Sequence, residues 1–336
     1  MKRIVLYIDS KSLNDATSHY IEIVNRAATK LGFFFLITES INNIKFGDII
    51  FTITTNNYIK GFFLRPFCKT IFWSQGIDPE ESLLRDKNYF KFMAKSAIEF
   101  FALRHPGFKF FVSNKMLNHY KKKYNFNTSN FMVMPCYNLQ YEQTSFSNLA
   151  RYDNPSFVYA GSLSVWQNID ETLQVYKHIE NELEKSTLTL LTNEYEKATD
   201  LIAYYKIQSA NVKYVDLEHL NMELLKYKYG LLLRKNNLVN NVATPTKMNS
   251  YLACGLIPIY TNAICDYTEK INLNSFHLEV DSNLSVKEIA QEVIKFENTQ
   301  KDYSKLEIEI KSIFESYYDD NKYIHHIENK LKNHLS

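Results

Sequence analysis

Short apolar runs of strand length alternate along this chain with segments whose apolar residues recur at helical spacing, the pattern of parallel sheets flanked by helices. The first half carries the runs RIVLYI, FFFLI, DIIFTI, KTIFW, KFFVS and NFMVM, rich in the β-branched and aromatic residues that suit strands buried on both faces. Between the first two, Ile21, Val24, Ala28 and Leu31 fall on one helical face. Residues 138–155 then lose periodicity, turn polar and end in Asn-Pro, which reads as a linker. The pattern restarts with SFVYAG, STLTLL, NVKYV, YGLLLR and LIPIY, and with helices expected over 168–184 and 195–208. Two successive doubly wound α/β units follow, over 1–145 and 146–312. The charged helical tail from about residue 286 predicts a last helix, 313–336, that packs back on the first unit.

At 336 residues, with 45% hydrophobic and 23% charged residues, the chain can bury the cores of two domains. The 24 Tyr and 23 Phe, beside many Asn, Lys and Ile, read as the composition of an AT-rich genome rather than as an aromatic recognition code. A net charge of +2 speaks against a dedicated nucleic-acid binder and leaves small anionic ligands open. Cys68, Cys136, Cys254 and Cys265 are too scattered for a zinc site and read as buried thiols of a reducing compartment. The start MKRIVLYIDSKSLNDA turns polar after a short apolar run, as a first strand does and a signal peptide does not. No run reaches the length of a membrane span, so a cytoplasmic protein is expected, touching a membrane only at its inner surface.

In open α/β sheets ligands bind beyond the carboxyl ends of the strands, so chemistry is sought in strand-to-helix loops and in a cleft between the two units. The stretch NNVATPTKMNSYLACGLIPIY, residues 240–260, holds a contradiction there. Thr244 and Pro245 read as the cap and first residue of a helix, and Lys247 then places a cation where the helix dipole disfavours one. An anion bound at the helix start resolves it, and Arg234, ending the strand YGLLLR, can reach the same phosphate. The alternative is that Lys247 extends to solvent and Arg234 pairs with a carboxylate. A second loop, FVYAGSLSVWQNIDETL, offers Gly161 for close backbone approach and Ser162 as a hydroxyl, with Asn168 and Glu171 spaced as a capping box. Neither a G-x-G-x-x-G nor a G-x-x-x-x-G-K-[ST] motif is present, which weakens dinucleotide and P-loop readings.

Together, FVYAGSLSVWQN and LLLRKNNLVNNVATPTKMNSYLACGLIPIY resemble the nucleotide-sugar half of glycosyltransferase family 4 enzymes of the bacterial surface-polysaccharide kind, which have the GT-B fold. Pro245, Lys247, Tyr251, Leu252, Ala253, Cys254, Gly255 and Pro258 supply most of that group's P-x-K-x-x-E-Y-L-A-C-G-x-P block, and WSQGIDPEES, FFVSNKMLNHYKKKYNF and VMPCYN are similar more faintly. The resemblance implies a retaining, metal-independent hexosyl transfer from a nucleoside-diphosphate sugar to a glycan or lipid-linked acceptor, with no cofactor beyond that donor. Absence of a D-x-D agrees with metal independence. Arg234 and Lys247 would neutralise the diphosphate, and Gly161, Ser162, Trp166, Asn241, Thr244, Pro245, Ser250 and Tyr251 would line the donor pocket. On the acceptor side, the resemblance and the expected loop positions point to Gln75, Ser18, His19 and Asp78.

The chain departs from the pattern in places. Two glutamates common in the family are replaced by Val242 and Ser250, the histidine of D-x-H-G by Gln75, and a lysine-glycine pair by Trp166–Gln167. These departures keep two rivals open: a non-catalytic sugar-nucleotide-binding scaffold protein, and a nucleotide-sugar epimerase or hydrolase on the same fold. Other residues read as structural. His105 precedes Pro106, the adjacent His325 and His326 cannot share one helix face, and Asp78, Glu80 and Glu81 suit a helix start, with a general-base role as the alternative. Lys121–Lys123 read as a solvated face that can also meet anionic lipid headgroups.

Overall fold

The computed structural model describes residues 2–9, 12–13 and 15–335; Met1, Ser10, Lys11, Asn14 and Ser336 lie outside them. The chain forms two compact units, one of Met1–Asn138, Val242–Thr244 and Asp319–Ser336, the other of Leu139–Asn241 and Pro245–Tyr318.

The first unit is built on strands β1 (Arg3–Tyr7), β2 (Phe34–Thr38), β3 (Ile49–Thr52), β4 (Lys69–Ser74), β5 (Phe108–Phe111) and β6 (Phe131–Val133). They form one parallel sheet in the order β2-β1-β3-β4-β5-β6. Helices α1 (Asp15–Lys30), α2 (Thr55–Leu64), α3 (Asp78–Asp86), α4 (Tyr89–Arg104) and α5 (Asn114–Tyr124) connect them. Helices α2, α4 and α5 start where the sequence supplies a cap: Thr54 accepts from Asn57 N, Asn88 from Lys91 N and Ser113 from Met116 N. The apolar runs of β1, β3, β4 and β5 are buried as expected, whereas that of the edge strand β2 is not, with Phe34 and Ile37 exposed; Trp73 packs at 5.0 Å on Phe110 and 4.7 Å on Tyr20 in the centre.

The second unit repeats the scheme with β7 (Ser156–Ala160), β8 (Thr187–Leu191), β9 (Ala210–Lys213), β10 (Tyr229–Leu232), β11 (Ile257–Thr261) and β12 (Leu278–Val280). The parallel order is β12-β11-β10-β7-β8-β9. Its helices are α6 (Ile169–Glu182), α7 (Tyr195–Tyr204), α8 (Leu217–Leu224), α9 (Leu238–Val242), α10 (Thr246–Ala253), α11 (Cys265–Lys270), α12 (Val286–Glu297) and α13 (Leu306–Ser316). The last helix, α14 (Asp320–Leu335), packs along α1 in the first unit.

Strand β12 escaped the sequence reading because Leu-Glu-Val at a sheet edge makes no apolar run. The aperiodic stretch read as a linker is no loose spacer: Arg151 is buried and donates to the carbonyls of Leu225, Cys254 and Gly255 at 3.2, 2.7 and 2.9 Å. No described helix is long and apolar enough to cross a membrane.

Candidate functional site

In the second unit the chain steps outward from β7 through β8 to β9, then crosses to the other side of β7 at β10 and steps outward again. The strand order therefore reverses between β7 and β10, and a ligand-sized crevice forms beyond the carboxyl ends of strands at such a reversal. Gly161 follows β7 there, and Arg234 follows β10.

Gly161 has φ of +132°, a backbone that side chains rarely adopt, and its N–H is held by Leu191 O at 2.8 Å. A Cβ at this position would lie 2.6 Å from Lys247 Cε and 2.9 Å from its Nζ, so the glycine makes room for the lysine. Lys247 lies in the first turn of α10, as the sequence implies. Its Nζ donates to Gln167 Oε1 at 2.6 Å and to the Tyr159 hydroxyl at 3.4 Å, and sits 4.8 Å from the centre of the Tyr159 ring.

Arg234 is only 3% exposed. Its backbone is clamped by Thr261, whose Oγ1 accepts from Arg234 N at 2.9 Å and donates to Arg234 O at 2.8 Å. The guanidinium Nη1 donates to Trp166 O and Asn240 Oδ1, both at 2.9 Å. Among the described residues Arg234 and Lys247 form no ion pair, which removes the reading that Arg234 serves a carboxylate. Burial pushes the Lys247 ammonium well down from its ordinary range, and the Arg234 charge pushes it further the same way. Burial likewise works against the Arg234 charge. Arg234 and Lys247 are thus both held by neutral partners, beside the exposed Gly161 loop.

The remaining donor-side candidates divide. Ser162 and Gly161 are exposed, and Trp166 is half-buried. Asn241 Nδ2 donates to Ala263 O at 3.1 Å and to Asn236 Oδ1 at 3.0 Å. Pro245, rather than Thr244, is the residue that precedes α10, its carbonyl accepting from the Tyr267 hydroxyl. Thr244 does not cap the helix because its Oγ1 is engaged by Cys136 N at 3.1 Å. Ser250 is buried, and its Oγ donates to Thr246 O one turn earlier at 3.2 Å. Tyr251, expected to line the donor pocket, is wholly enclosed: its ring covers Gly230 of β10 and its hydroxyl accepts from Ala160 N at 3.0 Å. It braces β7 against β10 instead of facing a ligand. Asn168 forms no capping box, because its left-handed backbone turns the side chain away from the start of α6.

In the first unit, Gln75 directly follows β4, and its Nε2 is enclosed near the Tyr20 hydroxyl without a hydrogen bond of good geometry. Ser18 and His19 lie in α1 and not in the loop before it, and His19 Nε2 is 3.3 Å from Asp320 Oδ1. Asp78 opens α3 and pairs with Lys95 at 2.5 Å. Glu81 caps Ile77 N at 3.2 Å, and burial pushes its pKa up. The Lys121–Lys123 run is not a uniform solvated face, since Lys123 is drawn between Glu80 at 2.7 Å and the buried Glu99 at 3.0 Å. Among the described residues no group of three or more His, Cys, Asp or Glu is placed to hold a metal.

Tyr159, Gln167 and Asn240, which hold the two cations, were not singled out by the sequence reading. Gln167 stood in the quoted loop as a departure, while Tyr159 and Asn240 sit in an ordinary strand and in the short asparagine-rich helix α9 with no signal of their own.

No protein-family model matches this chain, and no curated protein matches it by sequence. Solved structures do. Anabaena HepE in complex with UDP-glucose superposes with a TM-score of 0.73 at 9% identity, covering 99% of this chain and 100% of that one. Sucrose-phosphate synthase from Thermosynechococcus elongatus gives 0.71 at 12% identity, over 100% of this chain and 99% of the other. The lipopolysaccharide outer core galactosyltransferase WaaB gives 0.66 at 8% identity, over 99% of both. At these identities the likeness establishes the architecture, and the chain has the two-domain α/β GT-B fold.

Proposed function

We propose that this chain is a glycosyltransferase that takes a hexosyl group from a nucleoside-diphosphate sugar. The observation that carries the reading is the Arg234–Lys247 pair, two cations without a described carboxylate partner, at the strand-order reversal of a GT-B domain. It is supported by structural neighbours that include glycosyltransferases and a complex with UDP-glucose. In the reaction the anomeric C–O bond breaks, the electron pair passes to the β-phosphate oxygen, and the acceptor hydroxyl bonds to the anomeric carbon as it loses its proton. Negative charge grows on the departing diphosphate, so cations fixed beforehand favour the transition state over the bound donor. Lys247, held by Gln167 and Tyr159, and Arg234, held by Trp166 O and Asn240, need no reorganisation to do this.

Retention of configuration, metal independence, and a glycan or lipid-linked acceptor of bacterial surface-polysaccharide synthesis complete the proposal on the strength of the motif resemblance. A second reading, binding without catalysis, is favoured by one feature: Val242 and Ser250 stand where family members carry glutamates, and the Ser250 hydroxyl donates back into its own helix.

A thermal-shift panel of UDP, GDP, CMP, TDP and ADP, with and without magnesium, tests the site first. One diphosphate at about 100 times its dissociation constant should stabilise the fold by roughly 2.7 kcal/mol. No shift with any of them overturns the donor-site reading. Incubation of the matching nucleotide sugars with acceptor extracts then separates transfer from binding alone, and the anomeric proton coupling of the product reports retention.

A further inference from the structure

Helix α4 is apolar on the side where a surface helix is normally polar. Its inner face is buried through Ala102 and Leu103. On the opposite side Phe90, Met93, Ala94, Ala97 and Phe100 recur at helical spacing, and all are exposed, Phe90 at 85% and Met93 at 65%. With 16 residues the stripe runs about 24 Å. It continues onto α2, where Phe62 meets Phe101 at 4.7 Å and Phe63 stacks on Phe101 at 6.5 Å while remaining 69% exposed. An exposed apolar face of this extent marks an interaction surface.

Charge identifies what the face meets. The single acidic residue in α2 and α4 together is Glu99, which is 1% exposed and tied to Lys123 and the Tyr124 hydroxyl. The exposed charges along the stripe are mostly basic: Lys60 one turn before Phe63, Lys87 just before α4, and Arg104 at its end, 5.7 Å over the Phe100 ring, while Lys91 within α4 pairs with the exposed Asp86, which Arg85 also neutralises. Aromatic and methionine side chains flanked by lysine and arginine, with no surface carboxylate on either helix, suit the headgroup region of an anionic bilayer.

We infer that the α2–α4 face of the first unit docks on the surface of a membrane rich in anionic phospholipid, with α4 lying in the plane of the interface. This goes beyond the transferase reading and does not depend on it. The acting surface is α4 with α2, not the Lys121–Lys123 run, whose Lys123 is engaged inward.

The test is co-sedimentation of the full chain, without nucleotide, with phosphatidylcholine vesicles and with vesicles containing about 30% phosphatidylglycerol. Binding to the anionic vesicles should weaken at about 0.5 M salt and fall at least about tenfold in the double variant Phe90→Glu, Met93→Glu. Both side chains are exposed, so the melting temperature and any nucleotide-induced shift should stay as in the parent. Failure of the parent to bind anionic vesicles, or equal binding by the double variant, overturns the inference. A parent that dimerises in light scattering, does not bind vesicles and becomes monomeric in the double variant overturns it in favour of a second copy as the occupant.

Discussion

Replacing Lys247 with methionine should move ligand-free stability and nucleotide binding in opposite directions. The lysine stem fills the space beside Gly161, and methionine keeps most of that volume while removing the charge. In the folded protein burial and the Arg234 charge hold the Lys247 pKa well below its unfolded value. Between those two values the unfolded chain binds one proton more, so this lysine's cost is greatest at low pH and fades as pH rises toward the unfolded pKa. The variant should therefore melt above the parent at pH 6, by a margin that shrinks at pH 9. Its ligand response should run the other way. A charge-assisted hydrogen bond to phosphate is worth about 2 kcal/mol, or roughly thirtyfold in affinity. At a nucleotide concentration near 100 times the parent's dissociation constant, the parent gains about 2.7 kcal/mol and the variant about 0.9. For a chain of this length those gains correspond to shifts of about 4 and 1 °C. Thermal melts at two pH values, with and without the diphosphate, read both effects at once. A variant that loses stability at pH 6 and keeps the full ligand shift would refute the buried, anion-seeking role of Lys247.

Other substitutions probe the same framework. Gly161→Ala must adopt a φ of +132° and displace the Lys247 stem, so it should lose about 1–3 kcal/mol in urea unfolding and most of the nucleotide shift; full binding would show that the loop and lysine are independent. Tyr251→Phe orphans Ala160 N–H between β7 and β10 and should cost about 1–3 kcal/mol of stability; a change under about 0.5 kcal/mol would remove its bracing role. In the first unit, Lys109 is 1% exposed, donates to His105 O at 3.0 Å, and is pushed down by burial to about 7. Its folded pKa lies below the unfolded value, so the parent gains stability as pH rises from 6 to 9, and the stability of Lys109→Met relative to it should fall by about 3 kcal/mol over that range; a constant difference would place the charge in water.

Much of the fold was legible because strands buried on both faces must be written as continuous apolar runs, and Val5, paired to both Leu36 and Ile50, shows the result. Leu278–Val280 has one neighbour and little core to fill, so nothing in its sequence announces a strand. Arg234 and Lys247 stood out because each breaks a local rule, one as a charge ending a buried strand and the other as a cation at a helix start. The groups that hold them were hidden, because Tyr159 and Lys247 meet across 88 positions and a contact of that range leaves no local trace. Tyr251 misled for the same reason. A residue inside a binding motif looks like a ligand contact until Gly230, the strand position its ring covers, is seen opposite it.

The two cations also say something about what the domain is built for. A half-buried lysine and a buried arginine with neutral partners destabilise the fold, and a carboxylate beside them would lower that cost. Asn240 occupies the place such a carboxylate could take: its Oδ1 accepts from Arg234 Nη1 at 2.9 Å, and its Nδ2 donates to Lys235 O at 2.9 Å, so its amide is satisfied without a charge. An aspartate there would pair with the guanidinium and leave Lys235 O unpaired. Asn240→Asp should then raise ligand-free stability while weakening diphosphate binding, the signature of a site that trades stability for an incoming anion. Were the cations merely structural, the aspartate would leave nucleotide affinity unchanged, and titration calorimetry of the parent and the variant with the same diphosphate decides between the two.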